Sequence, residues 1–327
     1  MVFKKMMRAF GVGGPSVDTV LTNPNTRPGL NLEGRVNITG GDHMVDIEYV
    51  SLGLVTKVEV ESGDSEYNQH TEFHKLNIAG RFPVHPGQPI SIPFQFPVPW
   101  ETPLTNIQGG QRLHGMTMGL RTELAVAGAV DKGDLDQVNV FPLPAQERIV
   151  EAFARLGFRF KGADCERGHI RGVQQHLPFY QEIEFYPPGQ YHGINSAEVT
   201  FVASPHGMAV VLEFDKRGGL FTSGHDVINT YQVDYRSVDS TDWAGVVDGW
   251  VRQAMSRRPH QQTHHQPHYP PQPHYGHHQP HYGHGGHGGH GYRHGHHGGA
   301  GMVGGIAAGL VGGFVAGEIL DDLFDGD

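Results

Sequence analysis

The chain has 327 residues, long enough for two domains with separate cores and a tail. Its formal charge of −10, with five acids among the last ten residues, provides no phosphate-seeking surface and argues against nucleic acid as a partner. Cys165 is the single cysteine, which excludes an internal disulfide, and with no leader of secretory type the expected compartment is the reducing cytoplasm.

In the opening segment, residues 1–13, Val2, Phe3, Met6, Met7 and Phe10 share one helical face beside Lys4, Lys5 and Arg8. So short an amphipathic stretch is expected to dock on the body rather than hold a bilayer. Residues 14–143 read as β throughout. Strand-like stretches fall near 16–23, 32–38, 45–60, 72–82, 88–98, 113–126 and 137–141, with turns such as NPNTRPG and TGGDH between them at β-sandwich spacing. LEGRVNI sets Gly34, Val36 and Ile38 on one face. In ISIPFQFPVPWETPLT, Ile90, Ile92, Phe94, Phe96 and Val98 alternate, while Pro93, Pro97 and Pro99 remove ladder donors, which predicts an edge strand. In LRTELAVAGAVDKGDLDQVNVFPLP the alternation continues through Leu120, Thr122, Leu124 and Val126, and DKGDLD is expected to be a turn.

Residues 144–257 begin with a helix, AQERIVEAFARLG, in which Ile149, Val150, Phe153 and Leu156 form a stripe and Gly157 is placed to end it. Strands return as FRFKGADC, YQEIEFYP, AEVTFVA, MAVVLEFDK and TYQVDY, a second β unit expected to be another sandwich. It closes with a helix whose stripe is Trp243, Val246, Val247, Trp250, Val251, Ala254 and Met255, capped by Ser240 or Thr241 and packed on its own domain. Residues 258–299 are rich in histidine, glycine and proline, with QPHY three times, and too little there can be buried to order the chain. In residues 300–327, Gly301, Gly305, Gly309, Gly313 and Gly317 form a stripe at helical spacing ahead of an acidic end. Its glycine content favours self-association or peripheral membrane contact over a true span.

The proline-punctuated strand ending in PWETPLT, the LRTELAVAGAVDKGDLD element and the closing VFPLP together resemble the sporulation-control SpoOM family over roughly residues 1–256. The resemblance implies an all-β body of two tandem arrestin-like β-sandwich domains with short helices, and a regulatory or adaptor role without catalysis. The histidine tract departs from the family pattern, so nothing about it follows from relatives.

That tract is the strongest chemical signal. Fourteen of the chain's 24 histidines lie from His260 to His297, and glycine spacers would let His284, His287, His290, His294, His296 and His297 gather around zinc, nickel or copper. No cofactor is otherwise required, and an inert spacer is the plainer account. Asp131, Asp134 and Asp136 lack the full ligand series of a calcium loop and fit a satisfied turn better. Cys165 near His169 and His176 suggests a thiol nucleophile only weakly, because a lone cysteine in a strand is usually a packing residue. The sequence carries no GxSxG, HExxH or Walker A phrase. The expected function is therefore a non-enzymatic adaptor that binds other proteins, cytoplasmic or at the membrane surface, with metal buffering by the histidine tract as the rival.

Overall fold

A computed structural model describes residues 13–62, 65–216 and 227–256. The predicted amphipathic opening up to residue 12, the histidine tract with all six candidate metal ligands, and the glycine-striped tail lie outside the described residues. The described strands are β1 (Ser16–Leu21), β2 (Asn25–Thr26), β3 (Asn31–Thr39), β4 (Val45–Ser62), β5 (Ser65–Ala79), β6 (Phe82–Val84), β7 (Pro89–Pro97), β8 (Met118–Val126), β9 (Lys132–Gln137), β10 (Asn139–Val140), β11 (Arg159–Arg167), β12 (Phe179–Tyr186), β13 (Ile194–Ala203), β14 (Met208–Lys216) and β15 (Val227–Val233). The helices are α1 (Pro144–Arg155) and α2 (Trp243–Ser256).

The first half stacks two sheets on one core: β1, β3 and β7 turn alternate residues inward, whereas the middle of β4, residues 50–56, is buried on both faces. One sheet has the order β1-β3-β7, and Leu32, Val36, Ile38 and Phe96 point inward from it. Facing it, β4 carries β8 and β9 on one side and β5 and β6 on the other, with Val50, Leu52, Leu54, Leu120 and Leu124 buried. Two polar ties cross the gap at β1: the Thr19 and Thr122 hydroxyls are 2.6 Å apart, and the Thr19 N–H donates to Asp134 Oδ2 at 2.6 Å.

The prolines of β7 have a directional meaning. Val98 donates its N–H to Leu30 O at 2.8 Å, and its carbonyl accepts from Gly29 N–H, so even-numbered residues turn their backbone groups toward β3. The groups facing away from β3 therefore belong to Pro89, Ser91, Pro93, Gln95 and Pro97, and three of these five have no N–H to give. The carbonyl of Pro97 is covered by the His74 ring, whose imidazole burial pushes down and this hydrogen bond pushes back up. Gly34 is needed on β3 for closeness rather than for its dihedral freedom. A Cβ there would sit 2.4 Å from Val20 O and 2.7 Å from Phe94 Cζ. Gly34→Ala should therefore cost about 1–3 kcal/mol of stability, read from the urea midpoint.

The second half differs from the expected second sandwich. Among the described residues its strands form one antiparallel sheet, β11-β12-β13-β14-β15, and helices cover its apolar face in place of another sheet. Phe153 of α1 stacks on Phe185 with centroids 5.1 Å apart, and Trp250 of α2 stacks on Tyr231 at 4.3 Å. Pro144 opens α1, with Gln146 Oε1 accepting the Leu143 N–H, and Gly157 follows its end at φ 90°. At α2 the Asp242 carboxylate accepts the Gly245 N–H, whereas the predicted caps Ser240 and Thr241 donate their hydroxyls to Ser237 O. The two halves are also continuous in hydrogen bonding, since the 18 residues of β4 run beyond β8 and Glu59 forms a parallel bridge with Glu166 of β11.

Candidate functional site

The face of the second sheet opposite the helices carries a ladder of carboxylates. Alternation places Asp164 and Glu166 of β11, Glu182 and Glu184 of β12, Glu198 of β13 and Glu213 of β14 on that face. Register then sets them side by side: Asp164 opposite Glu182, Glu184 opposite Glu198, and Glu198 opposite Glu213. Carboxylate oxygens of Asp164, Glu166 and Glu182 lie within 4.8 Å of one another, and so do those of Glu182, Glu198 and Glu213. Glu182 belongs to both groups and is the centre of the ladder.

This arrangement opposes ionisation. Partial burial first, then the carboxylates of Glu198, Glu166, Asp164 and Glu213, push Glu182 up to about 9. Asp164 rises to about 7 through burial and then Glu166, Glu184 and Glu59, and its buried Oδ1 has no hydrogen-bond partner among the described residues. Glu198 also rises to about 7, through burial and then Glu213 and Glu184. Lys161 bonds Glu184 at the rim, and that bond raises the lysine. Chemically, Glu182 keeps its proton at neutral pH, while Asp164 and Glu198 are in mid-titration there. The face could exchange those protons for a cationic side chain or a divalent ion with oxygen preference.

The other sequence candidates lie apart from this ladder or perform local work. Cys165 is 1% exposed on the helix-covered face, and burial, then Asp164, raises its thiol well above the usual range, the reverse of what a thiolate nucleophile needs. His176 is held through Nδ1 by Glu101 at 2.7 Å. DKGDLD is mostly strand rather than turn, with Lys132–Gln137 paired to β8. Asp131 Oδ1 accepts the Val126 N–H across the preceding turn at 3.1 Å, while Asp134 serves Thr19. Sequence reasoning missed the ladder although ADCER, YQEIEFY and LEFDK each show acids at alternate positions and AEVTF adds a single one.

The body is thus β-rich, with helices against one face of the second sheet and a row of carboxyl groups on the other. Residues 3–218 match the family model described as SpoOM protein, and the chain belongs to that family. It is 33% identical over 217 residues to the sporulation-control protein Spo0M of Bacillus subtilis (strain 168), covering 66% of this chain and 81% of that one. The crystal structure of Spo0M from Bacillus subtilis superposes with a TM-score of 0.65 at 29% identity, over 74% of this chain and all of the other. Among the described residues no helix is long and apolar enough to cross a membrane.

Proposed function

We propose that this chain is a non-enzymatic regulator of bacterial sporulation, an adaptor that holds other proteins in the cytoplasm. The supporting observation is the match to the Bacillus subtilis sporulation-control protein across 81% of its length, with a similar β-rich fold. The body acts as an arrestin-like scaffold. That likeness is best supported over residues 14–143, where two sheets share a core, and it takes a modified form beyond, where helices replace one sheet.

Contact by strand addition needs an edge with open backbone groups. On β7 the prolines have removed most outward donors. In the separate sheet that contains β11 to β15, the terminal strand β15 has no proline and shows Ile228 at 56% exposure, so we assign the contact to β15. The tail adds self-association or peripheral membrane contact.

In a sporulating host lacking this gene, sporulation should be restored by the full chain and by a chain ending at Arg258. Ile228→Lys should lower that restoration about tenfold by placing a charge on the edge. Restoration unaffected by Ile228→Lys would reject the β15 contact. If sporulation is indifferent to the whole gene and loss of residues 258–299 lowers tolerance to zinc, nickel or copper, the metal-buffering reading replaces this one.

A further inference from the structure

The loop between β11 and β12, residues 168–178, is tied down by two side chains. From within, Gln175 Nε2 donates to the carbonyls of Gly168, Leu177 and Phe179, and its Oε1 accepts the Ile170 N–H. From the other half of the molecule comes Glu101, in the PWETPLT phrase after β7. Its carboxylate accepts the His176 N–H at 2.8 and 3.0 Å, the Leu177 N–H at 2.9 Å, and has His176 Nδ1 at 2.7 Å. The Glu101 side chain is only 8% exposed while that of His176 is 85% exposed, so a buried acceptor holds an outer strap.

Three residues on, the same phrase grips the next strand. The Leu104 N–H donates to Gln181 Oε1 and Gln181 Nε2 donates to Leu104 O, both at 2.8 Å. Between these two grips lies a cavity of about 10 Å³, lined by Trp100, Thr102, Gln146, Gln175 and Gln181. Thr102 is 3% exposed, and its hydroxyl has no hydrogen-bond partner among the described residues. A void of that size admits one water, and its lining is polar enough to be wetted.

We propose that residues 168–178 are a strap latched across the two halves by Glu101, and that releasing this one carboxylate frees the strap and opens the polar cavity beneath it. Backbone donors at His176 and Leu177 exchange their bonds to Glu101 for bonds to water when the strap lifts. The bonds made by Gln175 keep the strap's own shape, and Gln181 keeps β12 in register, so the movement is confined to the strap and seam.

Amide hydrogen exchange on the full chain tests this. Glu101→Ala should speed exchange across 168–178 about tenfold or more, while peptides from β3 and β13 stay within about twofold of the parent. Glu101→Gln, which keeps one carbonyl acceptor and is the milder change, should give an intermediate rise at the same residues. His176→Ala, which removes only the ring contact, should give the smallest. Unchanged exchange over 168–178 in either Glu101 variant would overturn the latch. So would a uniform rise in β3 and β13, because Glu101 would then support the whole fold rather than the strap.

Discussion

Between pH 5 and pH 9 this protein should lose stability as pH rises, and Glu182→Gln should remove much of that loss. In the unfolded chain Glu182 ionises near 4.5, whereas in the folded state it holds its proton to about 9, with Asp164 and Glu198 holding theirs to about 7. Between those limits the folded state binds more protons than the unfolded one, so the slope of unfolding free energy with pH is negative. The contribution is fully present below about pH 4 and is lost as pH rises through 7 and then 9. Each proton so held is worth about 1.4 kcal/mol per pH unit, less what solvent at the rim of the face screens away.

Glu123 acts in the opposite sense and in a different window. Burial works to raise it, but hydrogen bonds from Lys75 and Tyr49 together with the charges of Lys75 and Arg121 hold it below the usual range. That contribution is lost only as pH falls below about 4.5, outside the range where the ladder titrates. Glu182→Gln keeps the size of the side chain and removes the ionisation. It should raise stability at pH 8 by about 1–3 kcal/mol and change it little at pH 5. Thermal unfolding from pH 5 to 9 measures both effects, and parent stability that is flat or rising over that span would show that the carboxylates do not oppose one another in the folded state.

The ladder shows what a sequence does and does not make legible here. Alternating acids in three of the four strands, and the lone Glu198 in the other, were visible in the sequence, and one strand at a time they fit a solvated face. Their mutual distance comes from the pairing of β11 with β12, β12 with β13 and β13 with β14, a property of register that a single strand does not contain. The same limit explains the second half. Period-two patterning in YQEIEFYP and MAVVLEFDK says that one face is buried but not what buries it, and the covering layer proved to be the two helices whose stripes were read correctly. Proline spacing in β7 was legible because it acts locally, removing a donor whatever the neighbours are. DKGDLD was misread as a turn because its composition is that of a turn, while its pairing with β8 and the bond from Thr19 to Asp134 keep most of it extended. The PWETPLT phrase carried the family resemblance, yet its physical role, holding the strap and Gln181, depends on partners more than 70 residues away.

Phe153→Ala should be the most damaging single core substitution in the second half, costing about 3–5 kcal/mol. Phe153 is fully buried on α1, stacks on Phe185 of β12 with an interplanar angle of 11°, and meets Phe158 edge-on at 5.0 Å. Truncation therefore removes the ring through which the helix, the sheet and the turn after Gly157 pack together. It leaves a void that rigid neighbours on three elements cannot close. Phe153→Leu refills part of that space and should cost clearly less, which separates a packing loss from a helix-propensity effect, since alanine is the better helix former. Urea unfolding gives both numbers, with an unchanged slope expected if only stability moves. A loss below about 1 kcal/mol for Phe153→Ala would mean that α1 is not what covers this sheet, and the case for helices in place of a second stacked sheet would fail with it.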